Sequence, residues 1–70
     1  MKFILFLHIC SVVHLNCLPE ITDNFIFNSW SECANAGYLR AIETTNKMDS
    51  DIVNRNQVVV NFKCVPVEQT

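Results

Sequence analysis

The sequence predicts an α+β protein: a small strand-helix-strand domain stapled by one disulfide and preceded by an N-terminal hydrophobic signal helix. Three features carry that expectation. The chain opens with a single Lys and an apolar run that starts at Phe3. Apolar residues then recur at helical spacing from Trp30 to Ile42, and a period of two runs from Val58 to Val65.

Residues 1–17, MKFILFLHICSVVHLNC, put Lys2 behind the initiator Met, then the apolar stretch, then the polar Leu18-Pro19-Glu20-Ile21-Thr22-Asp23. This order is the pattern of a secretory signal peptide, so the expected organisation is a signal at 1–17 and a domain at 18–70. A retained membrane anchor is the competing reading, but crossing the hydrocarbon core takes about 20 apolar residues. Phe3 to Leu18 is shorter than that and is broken by His8, Ser11, His14 and Asn16. Lipidation at Cys17 is disfavoured as well, because His14-Leu15-Asn16 lacks the upstream Leu and the small residue of a bacterial lipobox. His8, Cys10, His14 and Cys17 have the side chains of a zinc set. Deprotonated thiolates in an apolar export stretch are costly, however, so no metal or cofactor is expected.

Export delivers the domain to a secreted or periplasmic compartment where thiols oxidise. Cys10 and Cys17 leave with the leader, and Cys33 and Cys64 remain as the pair. A domain this small buries only about 60% of its unfolded surface, so a staple matters. Closing a loop of that length stabilises by about 3.5 to 4 kcal/mol on the chain-entropy account. All seven acidic residues lie beyond residue 17, whereas Lys2 is one of the five basic ones, which leaves the domain at a net charge of −3. Nucleic acid is therefore not an expected partner.

The elements follow in order. Phe25-Ile26-Phe27 between Asn24 and Asn28 reads as a short strand. Ser29 is placed to cap a helix, with Glu32 three residues on as the reciprocal half of a capping box. Trp30, Cys33, Ala34, Gly37, Tyr38, Ala41 and Ile42 form one apolar stripe, and the helix is expected to fray near Asn46 after Thr44 and Thr45. Lys47 to Asn56, with turn chemistry at Asp49-Ser50-Asp51, reads as an exposed loop. Gln57 to Val65 then alternates as a strand that carries Val58, Val60, Phe62 and Cys64 on one face, and Pro66 ends it or marks an edge. The two cysteines sit on the two faces that must pack. Strand, helix and strand suggest a crossover if the strands are parallel; an antiparallel arrangement through the long loop stays open.

Phe27-Asn28-Ser29, Glu32-Cys33-Ala34-Asn35-Ala36-Gly37 and Val60-Asn61-Phe62-Lys63-Cys64-Val65-Pro66 resemble a loose class of tiny exported, single-disulfide proteins encoded by phage and bacterial genomes. In that class an aromatic strand, a helix with a Cys before small residues, and a closing Phe-x-Cys-Val-Pro strand recur. The resemblance implies a disulfide joining two elements and no particular activity.

Catalysis is not expected. Both histidines belong to the leader and both remaining thiols are paired, which removes imidazole-based dyads, triads and zinc sites from the domain. Glu32 and Glu43 lie about 16 Å apart along a helix, too far for a paired acid and base. Asp49, Asp51 and Asn54 open like a calcium loop, but Asn54 stands where a glycine is required and Val60 where a glutamate is. Gly37 is read as a close contact with the closing strand. The residues left for function are the aromatics: Phe25, Phe27, Trp30 and Tyr38 are the partner-binding candidates. The expected function is a secreted or periplasmic small binding module, an inhibitor or modulator of an envelope protein. The alternative is a membrane-tethered accessory protein whose uncleaved N-terminal anchor is its only membrane contact and whose head regulates a membrane complex.

Overall fold

The structure, a computed structural model, describes residues 1–67. It is α+β. Strand β1 (Lys2–Ser11) is followed by β2 (Asn16–Cys17), β3 (Ile21–Phe27), helix α1 (Trp30–Lys47), helix α2 (Ser50–Asn56) and β4 (Val58–Val67). The strands make one four-stranded antiparallel sheet with β1 in its centre. On one side β1 pairs with β4 over its whole length, from Lys2 opposite Val67 to Ser11 opposite Val58. On the other it pairs first with β3, from Phe3 opposite Phe27, and then with β2 at Cys10 and Ser11.

The first correction to the sequence reading concerns residues 1–17, which are a strand, a hairpin turn and a second strand, with no signal helix. Phe, Ile and Leu in an unbroken run suit a strand with neighbours on both edges and a layer over at least one face. Val12 to Leu15 make the turn, with Leu15 in the left-handed region at φ 54°. The second correction is the number of disulfides: Cys10 is bonded to Cys17 across the hairpin, alongside Cys33 to Cys64. Cys10 and Cys17 are ladder partners, with Cα atoms 3.9 Å apart.

β3 and β4 both run antiparallel to β1, so they are parallel to each other with β1 between them. The crossover expected from strand, helix and strand is thus a split one, and the N-terminal strand fills the gap. β3 starts at Ile21, four residues earlier than its aromatic core suggested. Its polar start satisfies its backbone groups on β1, a demand independent of side-chain character.

Helix α1 begins where the capping residue places it. The Ser29 hydroxyl accepts from the Glu32 amide at 3.2 Å, while the Glu32 carboxylate accepts from Asn28 N–H at 3.4 Å, one residue before the cap. The helix continues through Thr44 and Thr45 to Lys47, and both hydroxyls donate to carbonyls of the preceding turn, Arg40 and Ala41. The expected loop at 47–56 is corrected too: Asp49 caps α2 by accepting from Asp51 N–H at 2.8 Å, and Gln57 closes it in the left-handed region at φ 49°.

The core is compact. Leu5 and Cys33 are fully buried, and Leu7, Phe27 and Cys64 nearly so, with Phe3, Ala36 and Phe62 packed against them. Gly37 faces Phe62, and a Cβ added there would penetrate the ring. The stripe expected to pack is only half buried: Cys33 and Gly37 are covered, whereas Trp30, Tyr38 and Ile42 are exposed. The helix turns its Cys33–Gly37 line to the sheet because the disulfide and the missing Cβ set the closest approach there.

Candidate functional site

The aromatic candidates divide between two places. Phe27, at the end of β3, stands opposite Phe3 across the ladder and is buried. The Phe25 ring lies 4.8 Å from that of Phe27, and Trp30 sets its edge against Phe3 at 5.7 Å and 77°. Phe25, Phe27, Phe3 and Trp30 therefore form one continuous aromatic group at the Phe3 end of β1. Phe25 and Trp30 are each 58% exposed, so the group has a buried middle and two open flanks. Tyr38 is elsewhere, halfway along α1, edge-on to Phe62 at 4.9 Å. Phe3 was missed at the sequence level because it stood inside the presumed leader; its pairing with Phe27 is a register fact.

Local chemistry holds these rings in place. The ladder between β1 and β3 slips after Ile4, so that two steps along β1, to Phe6, match four along β3, from Ile26 to Thr22. Phe25 lies in that irregular stretch. Asp23 stabilises it by accepting from Phe25 N–H at 3.0 Å and from the Arg40 guanidinium at 2.9 Å, which ties β3 to α1. Burial pushes the Asp23 carboxyl pKa up, but the Phe25 amide and the hydrogen bond and charge of Arg40 outweigh it. The net position is below the ordinary carboxylate value, and Arg40 is raised in turn by its bond to Asp23 and by the carboxylate charge. Lys2 donates to Asn28 Oδ1 at 2.9 Å, closing the same end of the sheet. Trp30 is the first residue of α1, so the Ser29 cap sets where its ring emerges.

The opposite end of β1 carries a second concavity. A cleft of about 250 Å³ opens between α2 and the disulfide-closed hairpin, lined by Ile9, Cys10, Leu18, Met48, Ile52 and Val58. The Ser11 hydroxyl donates to the Asn56 carbonyl at 2.8 Å, and His14 Nε2 lies 3.1 Å from Asn56 Oδ1, which joins the hairpin turn to the end of α2.

The histidines are part of this fold. His8 Nε2 and Lys63 Nζ lie 3.0 and 3.3 Å from the same Glu20 oxygen, Oε2, on the side of the sheet away from α1. Among the described residues no hydroxyl or thiol hydrogen-bonds His8, and no three His, Cys, Asp or Glu side chains converge as a metal site. Cys10 and Cys17 are bonded to each other. Among the described residues no helix is long and apolar enough to cross a membrane.

No protein-family model matches the chain, and no curated protein or solved structure is significantly similar to it.

Proposed function

We propose that this protein is a small extracytosolic binding module that engages an envelope or extracellular protein through the aromatic end of its sheet, as an inhibitor or modulator and without catalysis of its own. The observation that carries the reading is the pair of large exposed rings, Phe25 and Trp30, mounted on the buried Phe27 and the half-buried Phe3. Rigid aromatic side chains with a packed base supply contact area at little entropic cost, which is the character of binding hot spots. Pairing of all four cysteines supports an oxidising compartment.

The proposal keeps residues 1–17 in the working protein. Cleavage before Leu18 would remove the central strand and one disulfide, and would leave the facing edges of β3 and β4 unpaired. N-terminal sequencing of the exported product checks this. A terminus at or before Met1 is expected, and one at Leu18 would reject a retained β1.

The binding reading is tested by capture from an envelope extract with the oxidised full chain beside its Phe25→Ala and Trp30→Ala variants. A captured protein that is lost with both variants is expected. Capture equal for all three chains removes the aromatic end from the interface. Emission of Trp30, the single Trp of the chain, gives a direct readout, with a shift on adding the purified partner.

A further inference from the structure

Alternation along β1 sends Leu5 and Leu7 into the core and turns Ile4, Phe6 and His8 to the other side of the sheet. An antiparallel sheet with one solvated face ordinarily shows polar residues there. β1 does not. Ile26 and Val65 stand on either side of Ile4, and Thr22 and Lys63 on either side of Phe6. The Lys63 ammonium lies over the Phe6 ring, 5.4 Å from its centroid. The contacts that seat α1, Cys33 to Cys64, Gly37 to Phe62 and Trp30 to Phe3, all fall on the opposite face. An apolar strand of the two-sided type is thus covered on one side only.

We propose that a second copy of this chain covers the bare face, forming a two-fold helix-sheet-sheet-helix sandwich. Size and charge select that occupant. β1 and β4, ten residues each, and β3, seven, offer a flat area of about 450 Å² per copy, hence about 900 Å² in total, the size of a weak, reversible interface. The charges on the face are of both signs, Glu20 with His8 and Lys63, which suits a self-complementary contact better than a strongly acidic or basic partner. A two-fold axis running along the strands stacks Ile4, Phe6, Ile26 and Val65 on their mates and keeps the Glu20 group toward the other end. The contact leaves Phe25 and Trp30 free. The inference rests on the retained β1 proposed above.

Sedimentation of the oxidised full chain, produced from Met1 and verified by mass, tests this without reference to how the cell processes it. The expected result is a reversible monomer–dimer equilibrium. Phe6→Glu and Val65→Glu, each checked for intact disulfides and native circular dichroism, are expected to weaken it by about 100-fold or more, because the first brings two carboxylates together on the axis and the second buries one against Ile26 of the other copy. Leu39→Glu, on the exposed side of α1, should leave it unchanged. A wild-type chain that stays monomeric at every concentration overturns the proposal. So does a dimer that survives either face variant when folded, one that is lost with Leu39→Glu, or an open-ended ladder of multimers, which would place the contact on the outer edges of β3 and β4. Processing to Leu18 in the cell would instead count against the retained strand.

Discussion

Replacing Gly37 with Ala sets two effects of opposite sign against each other. In the middle of an exposed helix the change would stabilise, since Ala is favoured over Gly by about 1 kcal/mol. Here the new methyl would lie inside van der Waals contact with Cγ, Cδ2 and Cε2 of Phe62. Those atoms include the root of the ring, so a small rotation does not clear them. Retreat is hindered twice: Tyr38 packs against the same ring with centroids 4.9 Å apart, and the Cys33–Cys64 bond holds α1 to β4 one helical turn away. Overpacking of this kind costs about 1 to 3 kcal/mol, and contacts this short put it in the upper half of that range, so after the propensity gain the net expectation is a loss of about 1 to 2 kcal/mol. For a chain of this size that lowers the melting temperature by about 5 to 15 °C. The assay is thermal and urea unfolding by circular dichroism with both disulfides intact. Phe62→Leu supplies the control: in that background the ring is gone, and Gly37→Ala should turn neutral or stabilising. If Gly37→Ala stabilises the wild-type protein by the propensity amount, α1 does not rest on Phe62 and the packing argument fails.

The two disulfides should contribute unequally. Replacing Cys33 and Cys64 by Ala opens a separation of 31 residues and is expected to cost about 3.7 kcal/mol, against about 2.4 kcal/mol for Cys10 and Cys17 with a separation of 7. Urea unfolding of the two double variants ranks them, and the reverse order would mean that the hairpin clasp dominates the fold. The Asp23–Arg40 bond should be visible as acid sensitivity. Because the Asp23 pKa is lowered by folding, its contribution is complete at neutral pH and is lost as pH falls from about 4 through the lower folded value. Asp23→Asn should cost about 1 kcal/mol at pH 7 and flatten the acid limb of a stability-versus-pH curve, with the difference from wild type vanishing in strong acid. An unchanged curve would mean that the carboxylate does no more than decorate the surface.

Some of this architecture was legible in the residues themselves. The helix from Trp30 announces itself through a capping serine and a three-and-four rhythm, and β4 through strict alternation, because both periods arise from local backbone geometry and survive without neighbours. Cys33 on the helix rhythm and Cys64 on the alternating face are likewise a local property of each element. Among the binding candidates, the composition singled out Phe25 and Trp30 but also Tyr38 and Phe27, and only the fold separates them: Phe27 is buried, while Tyr38, just as exposed, lies apart against Phe62. The seven-residue helix α2 looked like a loop because its identity depends on one Asp cap and on Ile52, which it sets into the cleft beside Met48.

What tertiary structure alone decided is the conformation of residues 2–11. The apolar run from Phe3 to Leu7 is compatible with the helix of a leader, with a buried helix or with a central strand, since all three answer the same demand to leave water. The choice is made by pairing partners that lie far along the chain: β3 and β4 each present an edge, and only an extended segment between them satisfies both. The Cys10–Cys17 bond and the Phe3–Phe27 pair follow from that register. Periodicity belongs to a segment, whereas register belongs to a pair of segments, and no single stretch of residues contains it.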